Sequence, residues 1–216
     1  MQLKIYVPPH PLIKHWLAIA RDVQTPMPLF RSAMQELGRW LTYEAMREWI
    51  PTLPLQVQTP LTTAEAEIIN PEVPVAIVPI LRAGLAMLEG CVALLPQARV
   101  YHIGMKRDEE TLHSSCYLNR LPPSLPAHTR ILIPEPMLAT GGTLSQVLED
   151  LAGRGADLSL LRVVTTLAAP PALQKLGSLY PMVQIYAAMI DETLNEQGFI
   201  VPGLGDAGDR AFGTEG

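Results

Sequence analysis

Two short segments place basic residues and glycine where phosphate could bind. In ILRAGL, Arg82 ends an apolar run and Gly84 lets backbone amides approach a ligand closely. In GMKRDEET, Lys106 and Arg107 could bind diphosphate oxygens, arginine through its planar fork and lysine as a point charge. Each segment also has an ordinary interpretation. ILRAGL could be a strand-to-helix turn with a solvated arginine, and GMKRDEET could be a charged surface hairpin. Neither is specific by itself.

A third segment, ILIPEPMLATGGTL (131–144), is the most informative one. A buried strand brings Glu135 between two prolines, and the glycine-rich turn that follows leads into a helix. Backbone N–H groups, the hydroxyls of Thr140 and Thr143 and the positive helix end favour a phosphate monoester. The carboxylate just upstream could then reach ribose hydroxyls. A plain threonine-capped helix is the alternative, because ATGGT lacks the lysine of a P-loop.

The C-terminal stretch FIVPGLGDAGDRAFGT (199–214) combines glycines, two aspartates and an arginine with apolar residues that would pack. Disordered tails are usually poorer in apolar residues, so an ordered loop that lines a pocket is predicted. Its glycines would expose backbone N–H and C=O groups to a flat, neutral ligand.

The elements that must position these segments alternate along the chain. Apolar runs of strand length occur at 73–81, 99–105, 130–136, 158–167 and 183–190. Helix-capable segments lie between them at Leu85–Leu95, 143–153 and 170–176. This alternation predicts a parallel α/β sheet with helices on both faces, and ligands then bind at the carboxyl ends of its strands.

The first fifty residues have a helical pattern instead. One apolar face recurs at three- and four-residue spacing and consists of Leu29, Phe30, Ala33, Met34, Leu37, Leu41 and Ala45. The prolines of IPTLP end this helix, and the alternation in LQVQTPL predicts a half-buried strand.

Length and composition exclude several classes of protein. The 216 residues suit a single domain, 1–216, and no run is long and apolar enough for a membrane span. A net charge of −5 argues against a broad nucleic-acid surface. Cys91 is expected in the core and Cys116 is less certain, and their spacing does not suggest structural zinc. The N-terminus lacks a secretory pattern, so a cytoplasmic location is expected.

Taken together, ILRAGL, KRDEET, EPMLATGGT and VPGLGDAGDR resemble, in this order and spacing, the uracil phosphoribosyltransferases. The resemblance runs almost end to end and includes HPLIKHWLAIARD, LTYEAMRE and IDETLNEQGFI. The glycine-rich cradle alone would indicate only a type I phosphoribosyltransferase, and the last loop narrows this to the uracil branch. The implied fold is a parallel central sheet flanked by helices, with a β-arm and a C-terminal hood loop that binds uracil.

The resemblance implies transfer of the phosphoribosyl group of phosphoribosyl diphosphate (PRPP) to N1 of uracil, which gives UMP and diphosphate. Mg²⁺ would be bound through PRPP, with Asp206 as a candidate ligand. A homodimer or homotetramer is implied, with no nucleic-acid or membrane partner. Some members of the family are activated by GTP, and the sequence leaves open whether this chain is.

The resemblance also implies the roles of individual residues. Arg82, Arg107 and Asp206 would be catalytic, by stabilising the charge of the leaving diphosphate or facing PRPP and magnesium. The main chain of Ile200, Gly205, Asp206 and Ala207 would bind the uracil edge. The PRPP-binding set would be Arg82, Ala83, Gly84, Arg107, Glu135, Pro136, Met137, Leu138, Ala139, Thr140, Gly141, Gly142, Thr143 and Asp206.

Two positions depart from the pattern of the family. Glu135 stands where aspartate is usual, and Lys106 stands where an apolar or aromatic residue is common. The longer carboxylate shifts the ribose contacts by about a bond length and puts activity in doubt. It motivates an alternative, a non-catalytic regulator that senses PRPP or UMP. A phosphoribosyltransferase for another base is a further alternative, which the last loop disfavours.

Overall fold

The computed structural model describes residues 2–107 and 114–214, with the side chain of Arg107 outside this description. The helices are α1 (Pro11–Arg21), α2 (Met27–Met46), α3 (Leu85–Leu94), α4 (Gly142–Gly153), α5 (Pro170–Leu179) and α6 (Ala207–Phe212). The strands are β1 (Lys4–Tyr6), β2 (Thr52–Gln58), β3 (Thr63–Ile69), β4 (Val75–Ile77), β5 (Ile80–Leu81), β6 (Arg99–Val100), β7 (Ile103–Arg107), β8 (Ser114–Asn119), β9 (Arg130–Pro134), β10 (Met137–Leu138), β11 (Leu161–Ala168), β12 (Gln184–Ile190), β13 (Thr193–Leu194) and β14 (Ile200–Val201).

A parallel sheet forms the centre of the fold. Its strands run in the order β1-β12-β11-β9-β4-β6, and β10 also pairs with β11 in parallel. Strand β11 lies inside this sheet and every one of its residues is buried. The α/β class and the parallel sheet predicted from the sequence are confirmed.

Helices cover both faces of the sheet. On one face α1, α2 and α3 bury a cluster that includes Phe30, Leu37 and Met87. On the other face α4 and α5 bury a second cluster around Leu148 and Leu176. The continuous apolar runs of the strands are explained by this arrangement, because strands buried on both faces have no solvated side.

Two of the predicted strands are divided in the structure. The run 73–81 forms β4 and β5, and the run 99–105 forms β6 and the start of β7. In each case the first part joins the central sheet, whereas β5, β7 and β8 form a separate three-stranded sheet. Pro79 lies at the first break, where it has no N–H to donate to a ladder. The run 158–167 begins with a 3₁₀ turn, Leu158–Leu160, before β11.

Strand β2 corrects the prediction of a half-buried strand. In LQVQTPL (55–61) Leu55 is half-buried, but Val57 and Leu61 are 37% and 95% exposed, because β2 ends at Gln58 and pairs only with β3 in an antiparallel hairpin separate from the central sheet. In α2 the predicted apolar face is confirmed from Phe30 to Ala45. Leu29, at the edge of that face in the first turn, is 42% exposed.

The two cysteines have different environments. Cys91 is fully buried, as predicted, and its sulfur accepts a hydrogen bond from the Thr42 hydroxyl at 3.2 Å. Cys116 is exposed on β8. Within the described ranges, none of the helices has the length and apolar character needed to cross a membrane.

Candidate active site

A cavity of about 240 Å³ opens at the carboxyl ends of the parallel strands. It brings together three loops that are distant in sequence: the turn after β5, the loop after β9 and the loop that contains β14 and the start of α6. Ten of the residues predicted for the site line it, namely Arg82, Ala83, Glu135, Met137, Ala139, Thr143, Ile200, Gly205, Asp206 and Ala207. The cavity therefore lies where a parallel sheet places its ligand.

The turn after β5 carries Arg82 and is packed closely against the strands behind it. A side chain at Gly84 would place its Cβ 2.6 Å from the carbonyl oxygens of both Ile80 and Pro134, so only glycine fits there. Gly84 is consequently buried and does not line the cavity, whereas Arg82 and Ala83 do. The glycine acts by setting the path of the turn.

The loop after β9 forms a cradle at the start of α4, as the sequence predicted. Gly141 caps the helix with φ +74, a left-handed conformation that favours glycine, and its carbonyl accepts a hydrogen bond from the Ser145 hydroxyl at 2.8 Å. A Cβ at Gly142 would meet the Thr140 hydroxyl at 3.6 Å and the Lys175 ammonium at 3.9 Å, both at ordinary contact distance. A second cavity of about 50 Å³ is lined by Glu135, the remaining cradle residues Met137 to Thr143, and Leu144. Helix N-termini of this kind bind phosphate.

Pro136 is the one cradle residue that faces away from both cavities. Its carbonyl accepts hydrogen bonds from the Thr165 hydroxyl at 3.1 Å and from the backbone N–H groups of Thr166 and Leu167 at 3.0 Å. Pro136 thus fastens the cradle to β11, and its binding of PRPP stays a prediction.

Glu135 is the unusual acid of the cradle. Its Oε2 atom is buried and has no hydrogen-bond partner. Burial raises the pKa of Glu135 to about 8, and a hydrogen bond from the backbone of Met137 opposes this shift. Around neutral pH the carboxyl is therefore largely protonated. A ribose hydroxyl or a cation in the adjoining cavity would supply the missing partner.

The C-terminal loop is held in place by an ion pair at its base. Arg21 binds both carboxylate oxygens of Asp191, at 2.5 and 2.9 Å, and also donates to the carbonyl of Gly203 at 2.8 Å. The N–H of Gly203 donates to the same carboxylate at 2.9 Å. Asp191 is only 4% exposed, so this pair is well shielded from water.

A second arginine ties the loop to the end of α1. The Arg210 guanidinium donates to the carbonyls of Ala20, Leu204 and Asp22 at 2.5, 2.8 and 2.6 Å. It also lies over the Phe30 ring, 4.3 Å from the centroid. Sequence reasoning assigned no role to Arg21, Asp191 or Arg210, although they lie in the HPLIKHWLAIARD, IDETLNEQGFI and VPGLGDAGDR segments that carried the resemblance.

Asp206 stands where the C-terminal loop turns into α6. Its Oδ1 accepts a hydrogen bond from the N–H of Asp209 at 2.9 Å and so caps the helix. Both Asp206 and Glu135 line the larger cavity, which places two carboxyl groups at its wall.

The residues of the cavity fit a magnesium ion that is held mainly by the phosphates of the substrate. No group of three or more His, Cys, Asp or Glu side chains that could hold a metal ion occurs in the part of the chain that the structure describes. Mg²⁺ commonly binds through one or two carboxylates together with substrate phosphates and water. Asp206 offers a carboxyl group of this kind at the cavity wall, whereas Glu135 would have to release its proton before it could bind the ion.

Two predicted features lie on or beside the β7–β8 hairpin. Lys106 is exposed, and the side chain of Arg107 is outside the described residues, as are residues 108–111 of the KRDEET segment. At the other strand of the hairpin, the Ser114 hydroxyl lies 2.8 Å from the Thr143 hydroxyl of the cradle. The hairpin therefore contacts the mouth of the cradle. Six cavity-lining residues were not predicted: Ile80, Leu81, Met105, Gly198, Phe199 and Gly208.

The fold and the three loops are those of a type I phosphoribosyltransferase. The chain belongs to the uracil phosphoribosyltransferase family, whose model matches residues 7–214. A uracil phosphoribosyltransferase of Nostoc is 63% identical over 99% of both chains, and one of Synechococcus elongatus is 60% identical over 99% of this chain and 98% of its own.

A solved structure agrees over nearly the whole length. A protein of Aquifex aeolicus superimposes with a TM-score of 0.89 and 38% identity, covering 98% of this chain and 99% of that one. A more distant likeness, a Neisseria gonorrhoeae protein with 10% identity and a TM-score of 0.51, extends to the fold alone.

Proposed function

We infer that the protein transfers the phosphoribosyl group of PRPP to N1 of uracil and releases UMP and diphosphate. The observation that carries this inference is the cavity in which the Arg82 turn, the glycine-rich cradle and the glycine-rich C-terminal loop meet. Neither the relatives nor the structure favours a non-catalytic regulator, and the curated relatives reported above are named for uracil rather than another base.

The loops suggest how the substrates are bound. We place the 5-phosphate at the N-terminus of α4, where backbone N–H groups and the hydroxyls of Thr140 and Thr143 are available. The ribose lies beside Glu135, and the diphosphate lies toward Arg82. Uracil lies against the main chain at Ile200 and between Gly205 and Ala207, where N–H and C=O groups match its donor and acceptor edge.

The reaction requires stabilisation of charge rather than a nucleophilic side chain. As the bond from the anomeric carbon to diphosphate lengthens, negative charge grows on the leaving group and positive charge on the ribose. Arg82 is preorganised to receive the former, and Arg107 is proposed to assist it from the β7–β8 hairpin. Mg²⁺ bound through PRPP, with Asp206 as the residue that would hold it, would supply further neutralisation of the diphosphate.

The experiment that tests this function follows UMP formation by the purified chain with PRPP, uracil and MgCl₂. Cytosine and hypoxanthine serve as alternative acceptors, and EDTA tests the need for magnesium. Among the three bases we expect only uracil to give UMP, because a site that pairs N3–H and a carbonyl rejects the reversed donor and acceptor pattern of cytosine. We expect no UMP after chelation of magnesium. Absence of UMP at every magnesium concentration would contradict the inference.

The assembly of the protein is part of the same proposal. The β2–β3 hairpin projects with exposed apolar side chains, among them Ile68 and Ile69 at 46% and 50% exposure, and we propose that it contributes to a homodimer or homotetramer. Light scattering after gel filtration would measure the mass. GTP binding stays a prediction, and initial rates with and without GTP test it.

Two further expectations from the sequence concern the domain and the location. The single domain 1–216 and the cytoplasmic location stay predictions, and a relative from Arabidopsis thaliana is named chloroplastic.

A further inference from the structure

The guanidinium of Arg82 is engaged by the C-terminal segment. Its Nη2 lies 2.8 Å from Oδ1 of Asp209, and its Nη1 donates to the Thr214 hydroxyl at 3.0 Å. These partners are 127 and 132 residues away along the chain. The arginine proposed to bind diphosphate is thus held by the segment proposed to enclose uracil.

The three side chains form a closed set of hydrogen bonds. The Thr214 hydroxyl accepts from Arg82 and donates to Oδ1 of Asp209 at 2.6 Å, which fixes the direction of its hydrogen. The hydrogen bond from Thr214, followed by that from Arg82, lowers the pKa of Asp209, so this carboxylate stays ionised. One carboxylate oxygen therefore receives two donors at once.

The same carboxylate residue is joined to the loop at the uracil side of the cavity. The backbone N–H of Asp209 donates to the Asp206 cap at 2.9 Å. A Cβ at Gly208 would lie 3.2 Å from Oδ1 of Asp206, 3.7 Å from Nη2 of Arg82 and 3.9 Å from the backbone nitrogen of Ala83. The start of α6 and the turn after β5 are hence in close contact.

We propose that Asp209 and Thr214 are positioning residues that hold the Arg82 guanidinium in the orientation in which it receives diphosphate. The proposal rests on the proposed function. A guanidinium has five N–H donors, and the bonds to Asp209 and Thr214 use two of them. The other three are available to diphosphate oxygens, and the side chain is 52% exposed.

Holding the guanidinium in advance has two consequences. The leaving diphosphate meets a donor whose orientation is already fixed, which lowers the reorganisation needed during the reaction. In addition, diphosphate bound to Arg82 pulls on Asp209 and through it on the Asp206 cap beside the uracil loop. The affinities for diphosphate and for uracil are then linked, and such linkage is reciprocal.

The alternative is that this pair only fastens the end of the chain. Exposed ion pairs contribute little to stability, so a purely structural role predicts little change in kinetics when the pair is removed. The Arg47–Glu44 pair at the C-terminal end of α2, at 3.0 Å with Arg47 62% exposed, is a matched control, because neither residue lines the cavity. Removing it with Glu44→Gln should leave all kinetic constants unchanged.

A double-mutant cycle tests the positioning role. The full-length wild type, Asp209→Ala, Arg82→Ala and the double variant are compared in kcat, in KM for PRPP and uracil, and in product inhibition by diphosphate. We expect Asp209→Ala to raise KM for PRPP and the inhibition constant for diphosphate about tenfold, but to change them less than twofold when Arg82 is already alanine. Thr214→Val should raise both constants about threefold, and Thr214→Ser should restore them.

The outcomes separate this proposal from the proposed function. If the wild type forms no UMP, the proposed transfer to uracil is itself contradicted. Suppose that the wild type is active and that Asp209→Ala changes KM for PRPP and the inhibition constant for diphosphate equally with and without Arg82. Asp209 then acts independently of Arg82, and the positioning role is overturned. If Asp209→Ala does not fold, Asp209→Asn and Thr214→Val carry the test. Unchanged diphosphate inhibition in both would also overturn the proposal.

Discussion

The cradle and the C-terminal loop enclose the same cavity but are held in different ways. The cradle is fixed by short-range contacts, such as the Ser145 hydroxyl on the Gly141 carbonyl, and by its attachment to the adjacent strand β11. The C-terminal loop depends on Arg21, 170 residues before its partner Asp191, and on Arg210. A phosphate site can therefore be encoded in about ten consecutive residues, whereas the base site requires the N-terminal helices to be in place.

The largest expected effect comes from breaking the ion pair at the base of the loop. Asp191→Ala leaves Arg21 partly buried without its carboxylate and removes the acceptor of the Gly203 N–H. We expect the free energy of unfolding in urea to fall by about 3 kcal/mol, because a shielded charge loses its partner. KM for uracil should rise more than KM for PRPP. An equal rise in both would show that the loop does not act separately from the cradle.

Replacement of Arg210 by lysine tests the second fastening of the loop. Lysine keeps the charge but lacks the fork that reaches three carbonyl groups, and it cannot stack as well on Phe30. We expect a loss of about 2 kcal/mol in unfolding free energy. Again KM for uracil should change more than KM for PRPP. A lysine variant as stable as the wild type would mean that charge alone holds the loop.

Gly141→Ala tests the cradle. The left-handed φ of +74 disfavours alanine, and the new Cβ would lie 3.2 Å from the Cα and carbonyl oxygen of Ala172. We expect a loss of about 1–2 kcal/mol and a higher KM for PRPP at unchanged KM for uracil. Gly153→Ala at the other end of α4, where nothing lies within 4 Å, is the control and should not destabilise the protein. Loss of uracil affinity in Gly141→Ala would contradict the separation of the two regions.

The smallest effect concerns the pH dependence of the cradle carboxyl. The pKa of Glu135 is about 8 in the folded protein against an ordinary value of 4.5, because burial disfavours the charged form. Between these values the folded state holds a proton that the unfolded state has released, so stability falls as the pH rises. We expect the free energy of unfolding of Glu135→Gln to gain about 1 kcal/mol relative to that of the wild type from pH 7 to pH 8. If the free energies of unfolding of the two proteins ran parallel as the pH changes, the Glu135 carboxyl would already be ionised.

The same comparison explains what the sequence could predict. The cradle was predicted from its own residues because a strand, an acid, a glycine turn and a helix start are local signals. The C-terminal loop was predicted from its apolar residues and glycines as an ordered wall of a pocket, and only its specificity for uracil came from the resemblance. Its fastening by Arg21 and Arg210 was missed, since an arginine on a helix gives no sign of which distant carbonyl or carboxylate it will meet.

Strand boundaries failed for a related reason. The runs 73–81 and 99–105 are continuous in hydrophobicity, yet each divides between the central sheet and the β5-β7-β8 sheet. Hydrophobic patterning indicates burial but not the identity of the neighbouring strand. Strand β2 was predicted as half-buried because its apolar and polar residues alternate. Such alternation indicates that one face could be covered, but it does not show which element covers it.

Strand β11 has a consequence for how the molecule unfolds. All of its residues are buried, and its side chains contribute to both cores, with Val164 and Leu167 in one and Val163 and Ala168 in the other. Because β11 packs against the helices on both faces of the sheet, neither helical layer can separate from the sheet without exposing buried residues of β11. The amide protons of β11 should thus exchange with solvent only when the whole sheet opens, which joins the phosphate and base halves of the cavity into one cooperative unit.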